Sequence, residues 1–234
     1  MTGVLAKTFA PCMEVLPPAQ KRLWPYLRAT IGLGFTLYGG TAIALRLGHR
    51  TSVDFDFFSP RPLDREAMQS ALPFMAQSVV LQDQPNNLTV LVPASDIDGD
   101  SEPAHVKLSF FGTIGFGRVA KPDRTEDGVL QVASLDDLMA TKVKVILQRA
   151  EAKDYRDIAA MVNAAVSLPR GLAAAREMFG PNFQPGESLK AMVYFEDGDL
   201  RTLTIEEKRS LVTAASQVRD LPGIELIDRP IDRH

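Results

Sequence analysis

Two aspartates one residue apart, Asp54 and Asp56, stand in the run S-V-D-F-D-F-F between Ser52 and Phe58. In an extended strand side chains alternate, so Val53, Phe55 and Phe57 turn to one side while both carboxylates share the other, about 6–7 Å apart along the backbone. Two anions so placed in an apolar strand are costly to keep ionised unless a cation or a set of donors faces them. Magnesium (or Mn2+) meets that need, because it commonly takes one or two protein carboxylates and completes its octahedron with phosphate oxygens and water. Just upstream, L-Y-G-G-T-A-I-A-L-R-L-G runs from Leu37 to Gly48. Gly39 and Gly40 let a phosphate approach the backbone at a helix start, where N–H groups are unpaired and the macrodipole is positive, and Thr41 adds a hydroxyl donor. The implied ligand is a metal-bound polyphosphate. Plainer readings exist for each part: the glycines as a tight turn, the aspartates as loop caps or as partners of Arg46 or Arg50. Turn, helix and acids together in one segment favour the ligand.

Those side chains need a sheet beneath them. Phe35 to Tyr38 reads as a short strand, Gly39 and Gly40 as a turn, Thr41 to Leu47 as a short helix ended by Gly48, and Val53 to Phe58 as the strand that carries the acids. Pro17 to Ile31 has a helical pattern with a kink at Pro25. After the loop S-P-R-P, Leu63 to Gln77 reads as a helix, and Ser78 to Leu81 and Leu88 to Val92 as two strands joined through Q-P-N-N. His105 to Phe111 alternates again, with Val106, Leu108 and Phe110 on one side and His105, Lys107 and Ser109 on the face that the acids use. The segment D-I-D-G-D, Asp96 to Asp100, invites a calcium reading. Its glycine is misplaced and Lys107 stands where an EF-hand needs glutamate, so it reads as a solvated loop. Gly112 to Gly128, rich in glycine and charge, reads as a mobile loop at the mouth of a site.

Near Ala133 the pattern changes to long helices, which divides the chain into an α/β domain, 1–132, and a mainly helical domain, 133–234. Ser134 with Asp137 is a start resembling a capping box. From that cap Lys142, Arg149 and Lys153 recur at offsets of seven and eleven. At about 100° per residue a single helix would hold them within about 40° of one another. On spacing alone this is a solvated face, with Lys153 and Asp157 as an i,i+4 pair. Tyr194 and Phe195 read as core residues of the helical half.

Composition bounds the rest. With 234 residues and a net charge of −3, the chain can bury a substantial core but has no strongly basic coat, so any nucleic acid would meet a local patch. One cysteine and three scattered histidines leave neither a disulfide framework nor a zinc cluster and fit a reducing compartment. No signal peptide and no membrane-spanning apolar run are legible, so a cytoplasmic protein without membrane attachment is the expectation.

On these residues the chain resembles a known family. G-G-T, a short helix and then S-V-D-F-D is similar to the signature of the polymerase-β-like nucleotidyltransferase superfamily. The longer string Y-G-G-T-A-I-A-L-R-L-G-H-R-T-S-V-D-F-D-F-F resembles the AbiEii/AbiGii toxin family of nucleotidyltransferase-like proteins. The likeness continues in K-V-K-V-I-L-Q-R-A-E-A-K-D-Y-R-D-I, Lys142 to Ile158, and in L-K-A-M-V-Y-F-E-D-G-D-L, Leu189 to Leu200.

The resemblance implies an α/β fold, a nucleotidyltransferase-type mixed sheet flanked by helices and followed by a mainly helical C-terminal domain. It implies a magnesium-dependent transfer of a nucleoside monophosphate from NTP to an acceptor hydroxyl, with RNA, tRNA included, as acceptor. The protein would then be the toxin of a toxin–antitoxin or phage-defence pair, with a cognate antitoxin as partner. Asp54 and Asp56 would hold the metal, and Gly39, Gly40, Thr41 and Ser52 the nucleotide. Lys142 would stabilise the departing pyrophosphate, with Arg149, Lys153 and Asp157 as further nucleotide-site residues, and Asp157, or Asp154, would orient Lys153 or the acceptor hydroxyl. The superfamily usually sets a third carboxylate on a strand beside the D-x-D strand. By chain order that place belongs to Ser109, whose hydroxyl is a much poorer magnesium ligand. Two alternatives follow: a nucleotide-binding or partner-binding protein without transferase activity, and a small-molecule nucleotidyltransferase of the aminoglycoside-modifying kind.

Overall fold

In the computed structural model, which describes residues 7–93 and 105–227, the chain divides into two units. One comprises residues 1–115 and 122–133, the other 116–121 and 134–234. The D-I-D-G-D segment lies outside the described residues.

The first unit contains, in chain order, β1 (Thr8–Phe9), α1 (Pro18–Leu23), α2 (Ala29–Gly32), β2 (Thr36–Tyr38), α3 (Gly39–Leu47), β3 (Asp54–Phe58), α4 (Arg65–Ala71), β4 (Val79–Gln84), β5 (Asn87–Pro93), β6 (His105–Phe111), β7 (Asp123–Thr125) and β8 (Gln131–Val132). Among the described residues the strands form one eight-stranded mixed sheet in the order β1-β7-β8-β2-β3-β6-β5-β4. The acid-bearing strand is central, antiparallel to β2 and parallel to β6. The alternation explains why: Phe55 and Phe57 are wholly buried, and Phe57 stacks on Phe110 of β6 at 5.3 Å while Phe35 meets Phe110 edge-on at 5.2 Å. Each ring taken from water contributes about 1.5–3 kcal/mol, which holds the strand in one register.

Proline divides two of the expected helices. At Pro25 the ladder loses an N–H, and Trp24–Arg28 is a 3-10 segment between α1 and α2. Before Pro73 helix α4 stops, and Pro73–Gln77 continues as a 3-10 segment. Its start is set by Asp64, whose carboxylate accepts from the Ala67 N–H at 3.0 Å. The span read as a mobile loop, Gly112 to Gly128, is corrected: it contains β7, and Phe116–Lys121 packs with the second unit, where the Val119 N–H donates to Asp137 at 2.9 Å.

The second unit is helical: α5 (Leu135–Val145), α6 (Ala152–Asn163), α7 (Leu168–Phe179), α8 (Pro185–Met192) and α9 (Ile205–Gln217). Ser134 and Ser167 cap α5 and α7, and Thr204 with Glu207 forms a reciprocal capping box on α9. Helix α7 lies close on α5 because Gly171 faces Met139; an added Cβ there would fall 2.1 Å from the Met139 side chain. Tyr194 is exposed, not a core residue, while Phe195 packs edge-on against Tyr155 at 6.4 Å. Among the described residues no helix is long and apolar enough to cross a membrane.

Candidate active site

The pairing of β3 with its neighbours determines what surrounds the two acids. Asp56 is in register with Tyr38 of β2 and with Ser109 of β6; Asp54 is in register with Lys107. Period-two alternation therefore holds, and Lys107 and Ser109 share the carboxylates' face. The Lys107 ammonium is 3.0 Å from Asp54 Oδ2, and both side chains are partly open to solvent. Since β2 ends at Tyr38 and α3 begins at once, the helix start lies beside Asp56.

Gly39 is required there on two counts. Its φ is +74°, and a Cβ would sit 2.6 Å from Asp56 Oδ2. The glycine pair is thus the first turn of α3, not a separate turn before it. Thr41, the expected hydroxyl donor, points inward: it is buried, its Oγ1 donates to the Asp54 carbonyl, and it lies 2.7 Å from the Ser52 hydroxyl. With its own proton given to Asp54, Thr41 accepts from Ser52. Both hydroxyls therefore brace the strand that presents the acids.

Among the described residues no group of three or more His, Cys, Asp or Glu is placed to hold a metal ion, so no third carboxylate joins the pair. Ser109 occupies the register position beside Asp56, buried, and the next strand places Thr89 opposite Ser109. Two adjacent carboxylates on one face, both accessible, suit a single magnesium that keeps waters and substrate oxygens. Two ions about 3.5–4 Å apart would need further ligands.

The downstream string behaves otherwise. A continuous helical stripe of Lys142, Arg149 and Lys153 is not what forms: α5 ends at Val145 and α6 begins at Ala152, so the three cations lie on two helices and the link between them. Lys142 Nζ is buried between Asp154 Oδ1 at 2.6 Å and Asp157 Oδ2 at 2.7 Å. Arg149 Nε meets Asp154 Oδ2 at 2.8 Å, its side chain still 46% exposed. Lys153 pairs with Glu151 at 2.7 Å in place of the expected i,i+4 partner. Burial by itself would raise the Asp154 carboxyl, but the Lys142 and Arg149 charges and their hydrogen bonds hold it below the usual carboxylate range.

Two residues of this cluster escape a reading of the sequence. Asp199 Oδ1 accepts from the Ala152 N–H at 2.6 Å, capping α6 from far along the chain. Beside it Gly198, at φ +53°, lies so close to the Ala150 carbonyl that a Cβ would be 2.0 Å away. The sequence signal is the D-G-D of Asp197 to Asp199, inside the string Leu189 to Leu200 that resembles the family, and a turn would also explain it.

Known proteins share this architecture. The profile of the family described as "Nucleotidyl transferase AbiEii toxin, Type IV TA system" matches residues 26–216. The chain is 28% identical over 177 residues to the protein aq_aa25 of Aquifex aeolicus (strain VF5), covering 73% of this chain and 80% of that one. Its fold is similar to that of JHP933 from Helicobacter pylori, with a TM-score of 0.59, 17% identity and coverage of 85% and 89% of the two chains. It is also similar to that of MenT4, a nucleotidyltransferase toxin from Mycobacterium tuberculosis H37Rv, with a TM-score of 0.53, 16% identity and coverage of 85% and 86%. The mixed α/β architecture expected from the sequence is thus a nucleotidyltransferase fold.

Proposed function

Taking as premise that the chain belongs to the AbiEii nucleotidyl transferase toxin family, we propose that it moves a nucleoside monophosphate from NTP to an acceptor hydroxyl of RNA, with magnesium as cofactor. The observation that carries this reading is the placement of Asp54 and Asp56 on one open face of β3, with Gly39 of α3 closed against Asp56. The acceptor oxygen forms a bond to the α-phosphorus, the bond to pyrophosphate breaks and pyrophosphate leaves, and the proton of the acceptor hydroxyl passes to solvent. Asp54 and Asp56 would hold the magnesium, which supplies positive charge to the phosphate oxygens during transfer.

The protein's own groups then have distinct tasks. The first turn of α3, entered from Tyr38 without a side-chain cap, offers the positive end of a helix to phosphate through Gly39 and Gly40. Thr41 and Ser52 keep Asp54 at its place on β3. In the second unit Arg149 and Lys153 are half exposed and carry charge that a nucleotide or RNA would meet, while Lys142 and Asp157 position Asp154 and, through it, Arg149. A cognate antitoxin protein is the partner that this reading implies.

Ser109 in register with Asp56 favours a second reading, a nucleotide binder that does not turn over. Incubation with each labelled NTP, magnesium and total RNA separates the two. Label on RNA that is lost in Asp56→Asn is the expected result. NTP retention without transfer to any acceptor selects the second reading, and label on small molecules alone selects an aminoglycoside-type transferase.

A further inference from the structure

The ion pair on the acid face is built by the sheet. β6 runs parallel to β3 in unbroken register from Asp54↔Lys107 to Phe58↔Phe111, which puts the root of the Lys107 side chain beside that of Asp54. Continuing outward across this face, Ser109 stands next to Asp56, and Leu91 and Thr89 of β5 lie opposite Lys107 and Ser109. The cation that these strands bring to the acids is therefore Lys107. Its ammonium is 3.0 Å from Asp54 Oδ2, with side-chain exposures of 40% and 38%, so both groups can exchange partners without unfolding anything. The Asp54 backbone cannot move as freely, since its carbonyl is held by Thr41.

A divalent cation on the same carboxylate would repel the ammonium, so loading the cation costs Lys107 its partner. The phosphates of a nucleotide bring negative oxygens that replace it. We propose that Lys107 is a positioning residue that holds Asp54 in the metal-free protein, yields it to the divalent cation and then takes the nucleotide's phosphate. This rests on the reading of Asp54 and Asp56 as metal ligands. Cation and nucleotide are coupled as a result: each clears the place that the other needs. Lys107 thus opposes the cation alone and favours the nucleotide once the cation is bound, two effects of opposite sign in one side chain.

Mn2+ binding, followed by the loss of the free-ion resonance signal, and binding of a non-hydrolysable NTP analogue at saturating Mn2+ test this on the whole protein. Lys107→Met is expected to bind Mn2+ alone about three- to fivefold more tightly, the range that a half-exposed ion pair supports, and the analogue more weakly by a similar factor. Lys107→Arg, which keeps the charge, is expected to stay near wild type in both. Lys107→Met with unchanged Mn2+ affinity, or weakened in both measurements, overturns the role of Lys107. Asp56→Asn separates the underlying reading: if it abolishes Mn2+ binding while Lys107→Met shows no gain, only the lysine's role is lost. Mn2+ binding unaffected by substitution of Asp54 and Asp56 overturns the metal assignment and this inference together.

Discussion

Both units set lysine against aspartate, under opposite conditions. On the sheet face of the first, Lys107 and Asp54 are each roughly two-fifths exposed, at 40% and 38%. In the second, Lys142 is nearly sealed, at 6%, between two carboxylates that are both at 0%. An exposed pair is worth about 0–1 kcal/mol and can be exchanged for a ligand, whereas a buried charge stripped of its partner costs several kcal/mol. The same residue types therefore make an accessible contact in one place and a sealed one in the other. Burial decides which, more than distance: the two kinds of contact span only 2.6–3.0 Å.

The contrast is sharpest when Lys142 is removed. Lys142→Met leaves Asp154 and Asp157 buried with less compensation, and urea unfolding is expected to show a loss of about 3–5 kcal/mol. Adding Asp154→Asn and Asp157→Asn should restore much of it. A loss under about 1 kcal/mol would place Lys142 with the exchangeable group and break the comparison. Next, Asp56→Asn is expected to lower nucleotidyl transfer by about 10²–10³-fold, with unfolding free energy within about 0.5 kcal/mol of wild type. Comparable loss of stability in that variant would mean that the acid pair, too, is structural.

Gly39→Ala probes the point on the sheet where chemistry and packing coincide. Its φ of +74° and the 2.6 Å approach of Asp56 predict a cost of about 1–3 kcal/mol by urea titration, together with reduced transfer as Asp56 is pushed aside. The smallest effect concerns acid. The Asp154 carboxyl is held below its ordinary value in the folded chain, so its stabilising contribution is complete above the unfolded-state value, about 3.9, and is lost as pH falls through the lower folded one. Unfolding midpoints followed from about pH 5 down to about pH 2 should therefore fall less in Asp154→Asn than in wild type.

What was legible in the sequence followed from short-range geometry. The alternation of Val53 to Phe58 placed both acids on one face, and the structure keeps them there because Phe55 and Phe57, which alternate with them, are buried. The alternation of His105 to Phe111 put Ser109 on the acids' face, the family resemblance put it at the third acid's place, and the sheet register sets it beside Asp56. The failures came where a local pattern continued past the point at which tertiary contacts end it. Leu147 to Ala150 contains neither glycine nor proline, so the helical count from Lys142 to Lys153 ran on without a stop signal. The chain turns there because Asp199 caps Ala152 and Gly198 admits the Ala150 carbonyl, partners far along the chain that no local period encodes.

The sequence by itself determined that two carboxylates share a face beside a glycine-led helix start and that helices follow the sheet. Periodicities of two and of 3.6 are properties of the backbone and need no distant contact. Only the tertiary structure decided that Lys107 reaches Asp54, that Thr41 and Ser52 turn inward, and that Lys142 is enclosed by Asp154 and Asp157. The partner and exposure of a charged side chain depend on elements brought together from far along the chain, and those two quantities separate a charge that can meet a ligand from one that holds the fold.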